Sequence, residues 1–335
     1  YSVEGTTTEL VGITDLARNE AVNIIATTNA DVAQAKVITD ATNSGSNTFN
    51  INDVTANIVA GITADSTSIL GAGTITASDT ANVTQATTLS GLSKAVIYSL
   101  LDTAANIAAS NQGTRDEAAN ISTSDTAIVE EARTIDVARN SGTNTYNISD
   151  TAYNIFNSSN SVLTTAGTVT ATTAATQLQA NSIAAFTKAV GYSISDTAAA
   201  IAAGTANGRN EAINITATTA ATIAEATTLD NSTNSGTNTY DITDTATNIA
   251  ASSNAFITKA GTVTASTAAT KDEADTIAAF AQAVVYNISD TSTNIAAATA
   301  DGLNEAVNIT ATDDATFAQA KVIEDASNSG TIIYN

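Results

Sequence analysis

The chain repeats one short phrase at a nearly fixed interval, and this repeat constrains its fold more than any other feature. The phrase reads Tyr-x-Ile-Ser-Asp-Thr-Ala at Tyr146 and Tyr192, and close copies begin at Tyr240 and Tyr286. Eight aromatic anchors mark the period: Tyr1, Phe49, Tyr98, Tyr146, Tyr192, Tyr240, Tyr286 and Tyr334. Neighbouring anchors lie 46 to 49 residues apart. Self-similarity at such a period predicts a repeat architecture.

Each repeat contains the same core twice. Ser-Asp-Thr-Ala also begins in mid-repeat, at Ser78 and Ser124, so the elementary coil is about 24 residues long. β-Branched and aromatic residues predict a short strand, as at 192–194 and 214–218, and Ala198 and Ile201 predict the helix after the first of these. One coil cannot bury its apolar face alone, whereas stacked coils can. The sequence therefore predicts an α/β repeat solenoid, whose coils of a short parallel β-strand plus a short helix pair into units of about 47 residues.

We expect residues 1–335 to form a single repeat domain. Its units start near residues 1, 49, 98, 146, 192, 240 and 286. Two variants alternate along the chain. One ends in Asn-Ser-Gly, as at Asn140, where Gly can take a positive φ; the other ends in a longer apolar stretch, such as residues 183–190, that predicts a helix.

Composition argues against an enzyme. The chain has no Cys, His, Trp, Met or Pro. Without Cys there is no disulfide, zinc-thiolate site or thiol nucleophile, and without His the commonest general base is missing. Paired carboxylates could support glycoside hydrolysis, but the acidic residues here are periodic and lack aromatic sugar-binding platforms. We therefore predict no catalytic residues and no cofactor-binding residues.

The formal net charge of −22 limits the partners. It argues against nucleic acid, whose binding requires Lys and Arg to replace counterions, and against an anionic membrane surface. No apolar run approaches the roughly 20 residues that span a bilayer, so we expect no membrane insertion. An acidic excess suits divalent cations as partners, and it is equally explained by a solvated surface.

The Asp of the repeated phrase recurs along the chain, and this series of Asp residues has two interpretations. Its members are Asp53, Asp102, Asp150, Asp196, Asp244 and Asp290. Calcium prefers six to eight oxygen ligands, so a column of carboxylates invites a metal reading. The alternative, which we adopt, is that each Asp is a structural cap for the helix that follows it.

We assign no metal site, and calcium is the one cofactor that the sequence leaves open. Three acidic turns are the weak calcium candidates: Asp116 with Glu117, Asp272 with Glu273, and Asp313 with Asp314. Each turn offers too few clustered oxygens in sequence to define a site. Glycans stay open as well, because Asn-x-Ser/Thr sequences occur at Asn147, Asn214, Asn287 and Asn308.

Thr-x-Thr pairs suggest a second function, ice binding. They occur at Thr74, Thr168 and Thr262, with relatives at Thr216 and Thr310. Regular Thr arrays on a flat solenoid face resemble ice-binding proteins. The intervening coils carry Tyr-x-Ile at the equivalent strand, which interrupts the array, and Thr is also simply a favourable strand residue.

The extended phrase Tyr-x-Ile-Ser-Asp-Thr-Ala-x-Asn-Ile resembles repeats in very large secreted bacterial surface proteins, of the adhesin-like and S-layer-like kinds. The resemblance covers nearly the whole chain. It implies an acidic, Cys-free structural repeat that lies outside the cell or on the bacterial cell surface, and that in some proteins depends on calcium.

These observations favour a structural function. We expect an extracellular repeat protein that assembles end to end into a filament, sheath or surface layer, because both ends of the sequence resemble interior repeats and open strand edges pair with other chains. Such self-association would give an open-ended homopolymer. The alternative is an adhesin or ice-binding module that uses one solenoid face.

Overall fold

The computed structural model describes residues 1–334 and is an α/β structure of short elements. Within these residues there are 18 strands and 21 helices, and every strand pair is parallel. The strands are β1 (Val3–Gly5), β2 (Ile24–Ala26), β3 (Asn47–Thr48), β4 (Ile51–Asp53), β5 (Ile75–Ala81), β6 (Ile97–Asp102), β7 (Ile121–Ala127), β8 (Asn144–Asp150), β9 (Val169–Ala171), β10 (Ile194–Asp196), β11 (Ile215–Ala217), β12 (Asn238–Thr239), β13 (Ile242–Asp244), β14 (Val263–Ala265), β15 (Val284–Val285), β16 (Ile288–Asp290), β17 (Ile309–Ala311) and β18 (Ile332–Ile333).

The helices are short, and the longest has 11 residues. They are α1 (Thr7–Gly12), α2 (Asp15–Asn19), α3 (Val32–Thr39), α4 (Thr55–Asp65), α5 (Thr67–Gly71), α6 (Val83–Ser90), α7 (Ala104–Ala109), α8 (Gln112–Asp116), α9 (Val129–Asp136), α10 (Ala152–Phe156), α11 (Asn160–Thr165), α12 (Gln177–Ile183), α13 (Ala198–Ala203), α14 (Ala206–Asn210), α15 (Ile223–Asp230), α16 (Ala246–Ala250), α17 (Asn254–Ile257), α18 (Lys271–Ala278), α19 (Ser292–Ile295), α20 (Ala300–Asn304) and α21 (Phe317–Glu324).

Strands pair with their neighbours in sequence. Three-stranded sheets are formed by β1–β3, β10–β12, β13–β15 and β16–β18, and β4–β9 form a six-stranded sheet in chain order. The register recurs: Val3 pairs with Ile24 and Ile194 with Ile215 at an offset of 21 residues, whereas Ile24 pairs with Asn47 and Ile215 with Asn238 at an offset of 23. Helices connect the paired strands, which is how parallel neighbours are normally joined.

Each repeat divides into two parts of different helix content. The part that begins at the aromatic anchor carries two helices after its strand, as α13 and α14 follow β10; we call it the two-helix segment. The other part carries one helix, as α15 follows β11, and we call it the one-helix segment. The strands predicted at 192–194 and 214–218 overlap β10 and β11, and the predicted helix from Ala198 is α13.

Contacts between Cα atoms divide the chain into two compact units. The first holds Tyr1–Asp150 and Asn157–Thr170, and the second holds Thr151–Phe156 and the chain from Ala171 onward. Each unit has its own core of Ile, Ala and Tyr side chains, such as Ile24 and Tyr98 in the first and Ile215 and Tyr192 in the second. The single repeat domain over residues 1–335 stays a prediction.

Four of the aromatic anchors are core residues whose hydroxyls make the same polar contact. Tyr98, Tyr146, Tyr192 and Tyr286 are each 1% exposed. Each hydroxyl donates a hydrogen bond to the backbone oxygen 16 residues further on, for example Tyr192 to Gly208 at 2.8 Å and Tyr286 to Gly302 at 2.8 Å. A buried tyrosine normally finds such a partner. The constant offset of 16 residues therefore reflects a fixed arrangement of the anchor and the second helix of its segment.

The predicted long helix over residues 183–190 is wrong. Helix α12 ends at Ile183, where that helix was expected to begin, and Val190 is buried beyond it. The helix starts earlier because Thr176 and Gln179 form a capping box at its amino end. The apolar spacing belongs to two elements, a helix end and the approach to the next strand, rather than to one helix.

The Asn-Ser-Gly turn requires glycine because a side chain there would clash with neighbouring atoms, and not because the residue has a positive φ. Within residues 1–334 no glycine has a positive φ, so that prediction is wrong. A Cβ atom on Gly142 would overlap Ala119 O and Asn120 Oδ1, and one on Gly236 would overlap Ile213 O and Asn214 Oδ1. The turn lies directly on the backbone of the preceding two-helix segment, and only glycine allows that approach.

We expect Gly142→Ala to lower the free energy of unfolding by about 1–3 kcal/mol, because the methyl group must displace backbone atoms. Gly12→Ala is the matched control, since a Cβ atom there meets nothing within 4 Å and the helix gains propensity. Thermal unfolding followed by circular dichroism measures both. Equal melting temperatures for the two variants would contradict the steric explanation.

Candidate functional site

The recurring polar feature of the structure is a series of hydrogen bonds at the amino ends of helices. Within residues 1–334, fourteen helices are the first helix to follow a strand, and in thirteen of them the first backbone N–H donates to an Asp or Thr side chain 19 to 24 residues further along the chain. We call this series the capping ladder. Each rung joins a helix to the segment that follows it.

The acceptors of the capping ladder are of two kinds. The N–H···O distances lie between 2.5 and 3.1 Å. The carboxylate acceptors are Asp53, Asp79, Asp102, Asp125, Asp150, Asp196, Asp244, Asp290 and Asp313. The hydroxyl acceptors are Thr28, Thr173, Thr219 and Thr267. Either kind satisfies an amide that has no partner within its own helix.

The Asp column caps helices, but not those that were expected. At Asp102, Oδ2 accepts from Val83 N at 2.9 Å, the first residue of the preceding α6. The helix after it, α7, has Thr103 as its N-cap, whose hydroxyl accepts from Asn106 N. The other carboxylate oxygen accepts from Thr103 N and from Asn106 Nδ2, both at 2.8 Å. The expected cap of the following helix is wrong, because the carboxylate ends the strand and lies beside the previous helix.

Hydrogen bonds lower the pKa of several ladder carboxyls. For Asp79 the Thr55 backbone amide is the main cause, with the Thr55 hydroxyl second. For Asp102, Asp244 and Asp290 burial acts in the opposite direction and is the largest single influence, but the three surrounding donors together lower the pKa. These carboxylates are therefore charged and already saturated with donors, which leaves little to offer a metal ion or a substrate.

The six acidic residues predicted as weak calcium ligands do not form a common metal site. Within residues 1–334 no group of three or more acidic side chains could hold a metal ion. Asp116 accepts from Arg139 N at 2.9 Å, and Asp313 caps Ser292 N at 2.5 Å. The Glu273 carboxylate accepts from Thr247 Oγ1 at 2.7 Å and Thr270 N at 2.8 Å.

The remaining three candidates have other surroundings. Glu117 is the C-cap of α8. Asp272 pairs with Lys271 while its own side chain stays 91% exposed. The backbone oxygen of Asp314 accepts from Ser292 Oγ at 3.3 Å. The six residues thus serve turns and helix ends in three separate places.

Shallow grooves accompany the ladder. Cavities of about 490, 270 and 490 Å³ lie beside Asp53, Asp102 and Asp244 respectively. Each is lined by the ladder Asp, by the Asn four residues later, and by small residues of two neighbouring helices. In each groove the Asn side chain donates to the ladder carboxylate at 2.8 to 2.9 Å.

Sequence reasoning missed an arginine that recurs in three of the repeats, buried at Arg18 and Arg115 and half-buried at Arg209. Arg18, Arg115 and Arg209 each donate from Nη1 to three backbone oxygens at the end of the preceding helix. A cation there satisfies orphan carbonyls and complements the helix dipole. Burial lowers the pKa of Arg209. The available signal was the spacing of 97 and 94 residues, with the buried Leu303 at the fourth position.

The sequon asparagines belong to a second ladder along the turns. Oδ1 of Asn147, Asn214 and Asn308 accepts from the backbone N–H of a Thr in the next segment at 2.8 to 2.9 Å, and Asn287 accepts from Asn308 N at 3.1 Å. A glycan on these nitrogens would have to coexist with those bonds.

The side chains of the Thr-x-Thr pairs, which suggested ice binding, are accessible: Thr168, Thr170 and Thr262 are exposed, and Thr264 is half-buried.

Comparison with protein-family models, with curated proteins and with solved structures found no match to this chain. No helix in the described part of the chain, residues 1–334, has the length and apolar character needed to cross a bilayer. Function must therefore be argued from the ladder and from the surfaces around it.

Removing a ladder carboxylate should destabilise the fold. We expect Asp102→Ala to lower the free energy of unfolding by about 1–3 kcal/mol, because it leaves Val83 N without an acceptor. Asp102→Thr should lose less, since the chain itself uses Thr at this kind of rung. Asp272→Ala, at an exposed position, serves as the control and should stay within about 0.5 kcal/mol of the original chain. Urea unfolding measures all three, and an equal loss in Asp272→Ala would contradict the ladder's role.

Alkaline pH should unfold the chain through its buried tyrosines. Burial, with nearby acidic groups second, raises the pKa of Tyr98 and Tyr240 from 10.0 to about 12. A raised pKa means that the neutral ring stabilises the fold fully below pH 10, and that this stability is lost as the pH rises toward 12. Absorbance at 295 nm and circular dichroism should change together above pH 10. Full ionisation with intact dichroism would contradict the burial of these rings.

Proposed function

We propose that this chain is a non-enzymatic structural protein, an α/β solenoid whose segments stack in one direction and whose copies assemble end to end. The capping ladder is the observation that carries the proposal. Thirteen helices depend on the next segment for an acceptor, so every segment is bonded to its neighbours in sequence. Nearest-neighbour bonding of this kind is what a stacked repeat needs.

The strand register supports the same proposal. An offset of 21 residues recurs in both compact units, as for Leu100 with Ile121 in the first and Ile242 with Val263 in the second, and the other pairs are offset by 19, 23 or 24 residues. A recurring offset allows another segment to be added without changing those already present. The protein would therefore grow in length rather than in thickness, as a filament, sheath or surface layer requires.

The surface chemistry fits an extracellular setting. The net charge of −22 suits a highly solvated surface. The resemblance to repeats of large secreted bacterial surface proteins points to the bacterial cell surface. Divalent cations would act in such an assembly by bridging acidic residues of different copies, since the acidic residues within one chain are separate.

A second function is favoured by one observation. In the second unit the strand residues on the outward side are mostly hydroxyl-bearing and β-branched, and they align in register as Ser195 with Thr216 and Thr239, and as Thr243 with Thr264. A row of exposed Thr side chains is the kind of surface that an adhesin or ice-binding module would use. It would act on one face of the stack and needs no assembly.

Negative-stain electron microscopy, with calcium and with EDTA, tests the structural proposal. We expect uniform fibres that lengthen with protein concentration and persist in EDTA, because the contacts are hydrogen bonds and apolar packing. Fibres that appear only with calcium would assign the contacts to bridged acidic residues. Single particles at every concentration would contradict assembly, and inhibition of ice recrystallisation by those particles would support the second function.

A further inference from the structure

We propose that the first compact unit is acid-sensitive, because a run of five carboxylate rungs makes it unfold at a higher pH than the second unit. The basis is the order in which Asp and Thr acceptors follow one another along the capping ladder. The proposal concerns the fold of a single copy, so it does not depend on assembly.

The two units arrange their rungs differently. In the first unit one hydroxyl rung is followed by five carboxylate rungs, in the order Thr28, Asp53, Asp79, Asp102, Asp125 and Asp150. In the second unit hydroxyl and carboxylate rungs alternate before a last carboxylate, in the order Thr173, Asp196, Thr219, Asp244, Thr267, Asp290 and Asp313. The difference lies in the one-helix segments, since the strands of both units' two-helix segments from β4 onward end in Asp.

In the one-helix segments the acceptor type goes with the length of the strand. Asp79 and Asp125 lie within β5 and β7, which have seven residues each and pair with the next strand near both ends. The Thr acceptors follow strands of three residues, and the next pairing is a single bridge, such as Ala221 to Ile242. Asp313, which follows the three-residue β17, is the exception. The six-stranded sheet of the first unit thus contains both long strands with an internal carboxylate rung.

The carboxylate rungs of these two strands are shorter than the hydroxyl rungs. Thr55 N donates to Asp79 Oδ1 at 2.6 Å, and Ala104 N donates to Asp125 Oδ1 at 2.7 Å. The four hydroxyl rungs measure 3.0 to 3.1 Å. Hydrogen bonds to an ionised acceptor are shorter and stronger than neutral ones. Protonation of the carboxylate removes that advantage, whereas a Thr hydroxyl does not titrate in acid.

The groups around the two rungs do not replace the lost charge. The elements that pack against β5 are β4, α4, α6 and β6, and their charged residues are all acidic: Asp53, Asp65 and Asp102. The elements that pack against β7 are β6, α7, α9 and β8, and their one cation, Arg133, donates to Glu130 at 3.0 Å. Their other charged residues are again acidic: Asp102, Glu131, Asp136 and Asp150.

The sign of the pH effect follows from the hydrogen bonds. The Thr55 amide, with the Thr55 hydroxyl second, lowers the pKa of Asp79 from its ordinary value of 3.8. A lowered pKa means that the stability from this rung is complete above that value and is lost as the pH falls below it. Acid therefore weakens successive rungs in the first unit. In the second unit the weakened rungs at Asp196 and Asp244 each keep an intact hydroxyl rung on both sides.

Exchanging the acceptor types between the units tests the proposal. The first variant carries Asp79→Thr with Asp125→Thr. The second carries Thr219→Asp with Thr267→Asp; in all four cases the acceptor stands four residues after the first residue of its strand. Each protein is held at a series of pH values from about 5 down to about 2, the range in which Asp titrates, and is cut briefly with pepsin. Mass spectrometry of the fragments reports which unit is cleaved at each pH.

The cleavage onset should follow the carboxylate rungs. In the original chain we expect cleavage of the first unit to begin about 0.5 pH unit above that of the second. The first variant should lower the onset in the first unit by about the same amount, and the second variant should raise the onset in the second unit. The control is Glu4→Thr with Glu20→Thr, which removes two exposed charges of the first unit outside the ladder and should keep the original onset.

Urea unfolding separates titration from a general loss of stability. Between about pH 7 and about pH 3 the urea midpoint should fall less in the first variant than in the original chain, whatever its value at neutral pH. An equal fall in both proteins would overturn the proposal. So would a common onset of cleavage in the two units of the original chain, resistance of both units at the lowest pH, or an onset that does not move with the exchanged residues.

Discussion

The structure depends on how short helices satisfy their first backbone amides. A helix of five to eight residues is marginal in water, because nucleation is costly and few hydrogen bonds follow it. Here a strand-ending Asp or a turn Thr in the next segment accepts the first amide, as Asp102 does for Val83. Charged acceptors also favour the positive end of the helix dipole. Thirteen helices are thus stabilised from outside themselves, and the segments become mutually dependent.

That dependence explains the amino-acid usage. Asp, Asn and Thr recur where a rung or a turn bond is made, while Ile, Ala and Tyr fill a narrow core, as Ile201 and Ala198 do in α13. Small side chains such as alanine let neighbouring helices approach closely. Glycine is kept where the turn touches the preceding backbone, as at Gly236. A chain with these needs does not require a bulky core, because bonded neighbours on both sides supply what one segment lacks.

Sequence reasoning reached the parts of the fold that are local and periodic. The aromatic anchors, the strands at Ile194 and Ile215 and the helix from Ala198 follow from residue type and spacing. It failed where the cause lies in the neighbouring segment. The local sequence does not show that Asp102 bonds to Val83 rather than capping α7. It also does not show that Gly142 is needed because a side chain would clash, rather than because of its backbone conformation. Both need the register of two segments about 21 residues apart, which only the folded chain supplies.

The ladder also changes how the acidic composition is interpreted. Nine carboxylates are committed to helix amides, and for Asp102 and Asp244 the donors around them lower the pKa despite burial. These groups are anions whose charge is balanced by oriented N–H dipoles, so they need no cation. The acidic residues left for cations are exposed and scattered, such as Asp272. Under the proposed assembly, a cation effect on this protein would act between copies, where scattered carboxylates of two surfaces can meet.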